Sequence, residues 1–310
     1  MPDMFDDLKQ FKEQCKAGFE LGNGIKVRSP KSILVCGMGG SGIVGDFVQE
    51  LDLIVPVIVN KRPRIPKFVN KDTLVFCVSY SGNTWETINC FKESKKAKAK
   101  IIVITSNGKL KSLASKSRIE TVLVPKGELP RVSLGHLFFS ILRILQNSGL
   151  IDVSREMKRI EKISFNQVNR SAKKLSKKLF NEIPLIYSNS DAVAYRWKTQ
   201  FNENSKVMAL AESIPEIFHN EVESYDFKLM RFYHPVILSF DYQINPRFRK
   251  ILKIKKVDYD IYRFKNTLSD KMRAVWLGDI TSYYLSKLYK KDPVSVNIIE
   301  WIKGNIRYLP

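Results

Sequence analysis

Short apolar runs rich in Val and Ile alternate with segments of helical length through the first half of the chain. Each run has the length of a strand, and continuous apolar runs of this length are typical of strands buried on both faces. This alternation predicts a parallel sheet with helices on both faces. The predicted strands are Ser32–Cys36, Val55–Val59, Thr73–Val78, Ile101–Thr105 and Glu120–Val124. The predicted helices are Ser41–Leu51, Thr84–Ala97, Lys109–Ser117 and Val132–Gln146.

The second half of the chain repeats this alternation less regularly. Its predicted strands are Pro184–Tyr187, Val207–Leu210, Pro235–Phe240 and Asp258–Phe264. The predicted helix between the first two of these strands is Ala192–Glu203. A chain of 310 residues with 44% apolar residues is long enough for two domains of ordinary size. Between the halves, Asn147–Gly149 ends a predicted helix and a charged stretch follows. The sequence therefore predicts two α/β domains, residues 1–153 and 154–310.

The net charge of +21 raises the question of a nucleic-acid partner. The basic excess is spread over both halves without a basic tail, so we expect a solvated surface and no nucleic-acid partner. The N-terminal Met1–Asp7 is acidic, unlike an export signal, and no stretch reaches the roughly 18 uncharged apolar residues of a membrane helix. The four cysteines form no CxxC pair. We therefore expect a cytoplasmic protein with reduced thiols and no membrane partner.

A glycine-rich loop, Gly37–Gly42, follows the first predicted strand and has the spacing G-x-G-x-x-G. Such a loop lets the backbone approach an anion closely at a helix N-terminus. A nicotinamide site is one interpretation, but the second strand runs into Asn60-Lys61-Arg62 instead of ending in an acidic residue. The basic pair Lys61-Arg62 keeps an NADP-dependent reductase open as an alternative.

A second loop with three hydroxyl side chains, Ser79–Thr84, follows the third predicted strand and leads into a helix. Together with Ser41, these hydroxyls can surround one small phosphomonoester at two neighbouring strand ends. Ser and Thr are also ordinary helix N-caps, so capping is the alternative role, above all for Thr84. The combination of four hydroxyls and two Gly-bearing turns favours an anion site.

The loop Ser79-Tyr80-Ser81-Gly82-Asn83-Thr84 resembles the Ser-x-Ser-Gly-x-Thr loop of the sugar isomerase (SIS) domains. The segment Gly37–Asp46 resembles the signature of the bifunctional phosphoglucose/phosphomannose isomerases, and further matching segments extend the resemblance over essentially the whole chain. Those segments are Leu129–Gly135, Arg196–Lys206 and His219–Glu221. The resemblance implies two SIS-type, flavodoxin-like αβα sandwich domains with mainly parallel sheets. It also implies an aldose–ketose isomerase that acts on hexose 6-phosphates without a metal or cofactor.

The resemblance also implies a role for particular residues. Phosphate binding falls to Gly40, Ser41, Ser79, Ser81 and Thr84. Glu203 is the implied base, Arg131 an electrostatic stabiliser, and His219 the group that opens the sugar ring. Lys303 near the C-terminus is an implied partner in ring opening. The family forms homodimers with shared active sites, and His219 is expected to cross the dimer interface.

These residue types suit the reaction, because a proton moves between adjacent carbons through an enediolate. One carboxylate can serve both carbons, and a fixed guanidinium can stabilise the developing oxyanion. Hexose phosphates are mostly cyclic, so a histidine that exchanges protons near neutral pH can open the ring. The family reads Asp-Pro-Thr-Pro-Val where this chain has Val294 and Ser295, which leaves the glucose-versus-mannose preference open.

Other interpretations of the same residues remain. By composition alone, Glu203 is a solvated charge at a helix end, and His219 and Glu223 have the spacing of a helical pair or of two metal ligands. A non-catalytic SIS sugar-phosphate sensor would keep the phosphate loops without the base. The roughly 30 residues before the first strand are too few for the helix-turn-helix domain such regulators carry. The isomerase half of a glucosamine-6-phosphate synthase would need an amidotransferase domain that opens with a nucleophilic Cys.

Overall fold

The first half of the chain folds around a parallel sheet. The computed structural model describes residues 4–226 and 228–305. The strands of this sheet are β1 (Ser32–Cys36), β2 (Val57–Asn60), β3 (Thr73–Val78), β4 (Lys100–Thr105) and β5 (Thr121–Leu123). They pair in parallel in the order β2-β1-β3-β4-β5, and the five predicted strands are confirmed with small shifts at their ends. The order reverses between β1 and β3, where a ligand crevice is expected at the carboxyl ends of the strands.

Six helices accompany this sheet. They are α1 (Met4–Lys9), α2 (Phe11–Leu21), α3 (Gly39–Gln49), α4 (Trp85–Lys96), α5 (Gly108–Lys116) and α6 (Leu134–Asn147). The sequence analysis predicted no helix before β1, so it missed α1 and α2. Helix α2 packs closely on α6, since a Cβ at Gly18 would lie only 2.5 Å from the Gly135 carbonyl oxygen.

The second half repeats the arrangement with four parallel strands. They are β6 (Ile183–Ser188), β7 (Leu210–Ser213), β8 (Tyr233–Phe240) and β9 (Asp260–Phe264). Their order, β7-β6-β8-β9, is that of the first four strands of the first sheet. The helices are α7 (Ser154–Glu161), α8 (Phe165–Lys178), α9 (Asp191–Gln200), α10 (Pro246–Ile254), α11 (Leu268–Leu288) and α12 (Asn297–Asn305). Each sheet with its helices forms an αβα unit, as the sequence predicted.

The prediction for the strand at Val207–Leu210 was wrong by about three residues, because β7 is Leu210–Ser213. The predicted helix before it extended to Glu203, but α9 ends at Gln200 and continues as a π-helical turn, Phe201–Ser205. Both backbone N–H groups after this turn, of Lys206 and Val207, donate to the Phe201 carbonyl. The residues after α9 are therefore used to close the wider turn, and the strand starts later.

The two halves share one continuous hydrophobic core. Val35 of β1, Ile186 of β6 and Phe201 are all fully buried in the same cluster. The N-terminal helices connect to the second half, since the Trp276 Nε1 donates to the Leu8 carbonyl at 2.6 Å. This packing fixes the position of one sheet relative to the other, so loops from both halves can contribute to a single site.

Helix α9 begins at the position in the second sheet that corresponds to α3 in the first, and its N-terminus binds a carboxylate from the first half. Glu50, which follows α3, accepts hydrogen bonds from the Ser190 hydroxyl at 2.6 Å and from the Ala192 backbone N–H at 2.8 Å. Lys271 on α11 completes the contact at 2.7 Å. The side chain of Glu50 therefore occupies the place that an external anion would take at this helix end.

No helix among residues 4–226 and 228–305 is long and apolar enough to cross a membrane. The four cysteines, Cys15, Cys36, Cys77 and Cys90, are buried and free, which confirms the expectation of buried reduced thiols.

Candidate functional site

The two loops predicted to bind phosphate lie side by side at the carboxyl ends of β1 and β3, where Cys36, the last residue of β1, pairs with Cys77 of β3. The Ser41 hydroxyl accepts a hydrogen bond from the Tyr80 backbone N–H at 3.1 Å, so the first loop is tied to the second. Ser41 lies in the first turn of α3, and no side chain caps that helix. Its free N–H groups and positive dipole end are therefore directed to the space in front of both loops.

The hydroxyls of the second loop are arranged around one another. The Ser79 and Thr84 hydroxyl oxygens are 2.9 Å apart, and Ser79 also accepts from the Gly82 backbone N–H at 3.1 Å. The Ser81 hydroxyl, which is exposed, accepts from the Asn83 N–H at 3.3 Å. Thr84 stands at the N-cap of α4 but its side chain accepts no hydrogen bond from that helix. Capping therefore does not explain Thr84.

Gly82 is required by the geometry of this loop. Its φ of +68° is in the left-handed region, and a Cβ there would lie 1.7 Å from the Asn107 carbonyl oxygen. Gly108 makes the same contact from the other side, since its Cβ would lie 2.3 Å from the Ser81 carbonyl oxygen. The hydroxyl loop is thus held tightly against the loop that follows β4.

Arg131 connects the phosphate loops to the second half of the chain. Its backbone lies against Gly40, where a Cβ would be 3.2 Å from the Arg131 Cα. Its guanidinium reaches Glu203, with Nη1 3.8 Å from the carboxylate oxygen, and the arginine is only 4% exposed. Burial lowers the pKa of Arg131, and the Glu203 carboxylate opposes that effect. The sequence analysis placed Arg131 and Glu203 in one site, and the structure brings these two side chains together.

Most donors of the Arg131 guanidinium are already used. Nε donates to the Asn204 side-chain oxygen at 2.7 Å, and Nη2 donates to the carbonyls of Pro293 and Val294 at 2.5 and 2.8 Å. Nη1 donates no hydrogen bond to any described residue, and it faces the Glu203 carboxylate. The guanidinium is therefore immobilised with one N–H₂ group directed to the carboxylate.

Glu203 lies on the π-helical turn and lines a cavity of about 400 Å³. Its side chain is 27% exposed, so it is neither a fully solvated helix-end charge nor sealed in the core. The remaining lining residues are Asn202, Lys206, Ser295, Val296, Asn297, Ile298 and Ile299. The cavity is large enough for a small ligand and presents a carboxylate to it. The phosphate loops are not part of its lining, and Arg131 is the link between them and the cavity.

Lys206, which the sequence analysis did not single out, is part of this site. Its Nζ donates to the carbonyls of Glu203 and Ser295, each at 2.5 Å. The Asp292 carboxylate accepts from the backbone N–H groups of Val294 and Ser295, which keeps the pKa of Asp292 below its usual range. Ser295 thus donates an N–H that the family's proline at this position lacks.

The other two predicted residues, His219 and Lys303, are not joined to Glu203 by any contact among the described residues. His219 is exposed at the end of the 3₁₀ turn Glu216–His219, and no hydrogen bond or ion pair joins it to Glu203, Arg131 or the hydroxyl loop. Lys303 falls in α12, but its side chain lies outside the described residues. Among the described residues no cluster of three His, Cys, Asp or Glu side chains could hold a metal ion, so His219 and Glu223 lack a third ligand there.

The structure also describes Lys61 and Arg62, the basic pair that left an NADP-dependent reductase as an alternative. Lys61 pairs with Asp46 at 2.6 Å and lies over the Tyr195 ring at 4.7 Å. It lines an open groove of about 850 Å³ at the end of β2, together with Arg62 and Arg64. The Lys61 ammonium is thus already occupied by a carboxylate of its own chain.

Comparison with known proteins agrees with this arrangement. The SIS domain model matches residues 26–130, and the model of the bacterial phospho-glucose isomerase C-terminal SIS domain matches residues 168–306. A bifunctional phosphoglucose/phosphomannose isomerase from Caldicellulosiruptor bescii is 33% identical over 98% of both chains. The chain belongs to this isomerase family. A second phosphoglucose/phosphomannose isomerase, from Aquifex aeolicus, is 35% identical and covers 89% of this chain and 91% of its own.

One relative of the phosphoglucose/phosphomannose isomerases has a different activity. A D-glucosamine-6-phosphate 4-epimerase from Sulfolobus acidocaldarius is 31% identical over 69% of this chain and 71% of its own. Solved structures agree on the fold: a putative phosphosugar isomerase from Clostridium difficile superposes with a TM-score of 0.73 at 18% identity over 98% of both chains. The SIS-type αβα fold and the family of this chain are thereby established.

Proposed function

We propose that this chain interconverts glucose 6-phosphate and mannose 6-phosphate with fructose 6-phosphate. The observation that carries the proposal is Arg131, which packs by its backbone on the phosphate loops and reaches with its guanidinium to 3.8 Å from Glu203. One residue therefore connects a site suited to a phosphate with a carboxylate suited to proton transfer. A sugar-phosphate sensor without a base is not favoured, because it would have no use for this connection.

Binding of the substrate phosphate begins at the two loops. We assign this role to Gly40, Ser41, Ser79, Ser81 and Thr84. The hydroxyls donate to the phosphate oxygens, and the uncapped N-terminus of α3 adds its free backbone N–H groups. Gly40 carries no side chain, so the backbone of Arg131 can approach the start of α3. The phosphate thereby fixes one end of the open-chain sugar.

Proton transfer follows at the other end of the substrate. The Glu203 carboxylate removes the proton from C2 of the aldose, and the electron pair moves into an enediolate between C1 and C2. The free Nη1 of Arg131 stabilises the enediolate oxyanion without reorganising, because its other nitrogens are held by Asn204, Pro293 and Val294. A proton passes from O2 to O1 of the enediolate, and Glu203 then returns the carbon-bound proton to C1, which yields the ketose.

The coupled assay of purified protein tests this function. With EDTA present, fructose 6-phosphate is expected to yield both glucose 6-phosphate and mannose 6-phosphate, and their ratio measures the preference that Val294 and Ser295 leave open. Glucosamine 6-phosphate is the matched control, because one relative is an epimerase of that sugar. Epimerisation of glucosamine 6-phosphate without turnover of fructose 6-phosphate would reject the proposal.

Ring opening needs a proton carrier, and among the described residues His219 makes no contact with Glu203 of its own chain. We assign it to His219 of a second subunit, with Lys303 as its partner, in a homodimer with shared active sites. The exposed position of His219 and its lack of contact with Glu203 in its own chain support this assignment. A two-fold dimer allows this arrangement, because each subunit can supply the same residue to the site of the other.

Mixed dimers test the shared site. Glu203→Gln and His219→Ala chains are each expected to be nearly inactive alone. After co-expression, activity should recover to about a quarter of wild type, because half of the randomly formed dimers are mixed and each has one intact site. Lack of recovery in verified mixed dimers would place both residues in one chain's site.

The remaining assignments follow from this function. We propose a cytoplasmic enzyme of glycolysis and gluconeogenesis that uses neither metal nor nucleotide cofactor and has no nucleic-acid partner. We keep the division into residues 1–153 and 154–310, since it falls at Val153, directly before α7. The basic surface then serves solubility and attraction of a dianionic substrate.

A further inference from the structure

Lys206 ends the turn that carries Glu203, and its side chain folds back over that turn. The residue has a φ of 59°, in the left-handed region that a lysine seldom adopts. Its Nζ contacts the Glu203 carbonyl within the turn and the Ser295 carbonyl, 89 residues away in the chain. A single ammonium therefore joins the turn of the base to the segment before α12.

Arg131 makes the same kind of contact with the same segment. It donates to the carbonyls of Pro293 and Val294, so three consecutive carbonyls, of residues 293, 294 and 295, are each bound by a cation. Charge-assisted hydrogen bonds of this kind are stronger than neutral ones. We call residues 292–295 with these two cations the carbonyl clamp. The clamp forms one wall of the Glu203 cavity, because Lys206 and Ser295 both line it.

Burial and three neighbouring charged groups affect the pKa of Lys206. Burial lowers the pKa of Lys206, as does the nearby Arg131 cation, while Asp292 and Glu203 oppose them. Two cations close together repel each other, so their joint presence costs free energy unless carboxylates and carbonyls offset it.

We propose that Lys206 is a positioning residue for the isomerase reaction: its ammonium holds the Glu203 turn against residues 292–295 through the carbonyls of Glu203 and Ser295. The inference rests on the proposed function, since it assumes that Glu203 is the base. A base that serves two adjacent carbons must stay within hydrogen-bond reach of both, and a displacement of about 1 Å costs about a hundredfold in rate. Buried side chains already tie the C-terminal end of the turn, since Asn204 accepts from Arg131 and donates to Ser282, and the Ser205 hydroxyl donates to the Ser282 carbonyl. Lys206 adds the tie between the Glu203 carbonyl and Ser295.

The Lys206→Met variant tests the inference. We expect kcat to fall by roughly 10- to 100-fold with KM changed less than about threefold, because the phosphate loops are untouched. Lys206→Arg keeps a cation that can reach the Ser295 carbonyl and is expected to recover most of kcat. A residue that only stabilised the fold would lower the amount of folded enzyme and leave kcat per folded site unchanged.

Lys98→Met is the matched control. Lys98 follows α4 with a φ of 56°, so this variant removes the same charge from the same backbone conformation far from the clamp. Amide hydrogen exchange gives a readout that does not need activity. In Lys206→Met, peptides covering residues 201–207 and 292–300 should exchange about tenfold faster, as expected when a local contact is lost, while Lys98→Met matches the wild type.

The outcomes separate this inference from the proposed function. Unchanged exchange in both peptides, or an unchanged kcat in Lys206→Met, overturns the role of Lys206. A wild type that turns over no hexose phosphate overturns the proposed function, and faster exchange in Lys206→Met would then still support the contact between the two segments.

Discussion

The Glu203→Gln variant is expected to convert fructose 6-phosphate about a thousandfold more slowly than the wild type, because the amide cannot accept the C2 proton. The change is nearly isosteric, and the Glu203 backbone contacts with Lys206 remain. The loss should fall on kcat, while KM stays close to the wild-type value, since the phosphate loops and Arg131 are intact. Steady-state kinetics in both directions provide the measurement.

Glu161→Gln is the control for this variant. Glu161 is exposed at the end of α7 and lies far from the site in the chain, so its neutralisation should leave kcat unchanged. Binding of fructose 6-phosphate to Glu203→Gln, followed by thermal shift, verifies that the site still forms. A Glu203→Gln enzyme with near wild-type kcat would mean that another group removes the proton.

Arg196→Met is expected to lower the free energy of unfolding by about 3–5 kcal/mol, because it leaves a buried carboxylate without its partner. The Arg196 Nε and Nη2 donate to the two oxygens of Asp279 at 3.0 and 2.8 Å. Both residues are almost fully buried, at 1% and 2% exposed. The same guanidinium also donates to the Arg131 carbonyl, so the backbone of Arg131 loses a contact as well. Urea unfolding measures the loss.

The double variant Arg196→Met/Asp279→Leu distinguishes the causes. It removes both charges, so it should recover a large part of the lost stability. Recovery would show that the unpaired carboxylate is responsible for the loss. If Arg196→Met loses less than about 1 kcal/mol, the pair contributes no more than a surface ion pair, contrary to this account.

The strands of the first sheet could be predicted because they are buried on both faces and therefore read as unbroken apolar runs. Burial of β3 at all six positions is an example. The proximity of the two loops could be predicted because they follow neighbouring parallel strands, and the hydrogen bond between Ser41 and Tyr80 agrees with it; phosphate binding there stays a prediction. No comparable sequence pattern identifies helices α1 and α2. Their apolar faces are defined only by packing on α6 and α11, which the local sequence does not show.

The site in the second half was harder to predict. The π-helical turn depends on the left-handed Lys206 and on hydrogen bonds to Phe201, and no local pattern specifies a lysine in that conformation. Lys206 itself acquires its contacts from residue 295, which is remote in sequence. The segment Arg196–Lys206 resembles the isomerase family, and Lys206 is its last residue. That resemblance was the only sequence feature that could have pointed to Lys206. Glu203 and Arg131 were named only through that resemblance.

The two αβα units are built alike, yet they are not equivalent as receptors. Glu50 fills the anion position at the start of α9, with Ser190, Ala192 and Lys271 around its carboxylate. An internal carboxylate is held at a high effective concentration, so an external anion would have to displace it to bind there. We therefore expect each chain to bind one hexose phosphate, with the second unit contributing the π-helical turn and no phosphate site at the start of α9.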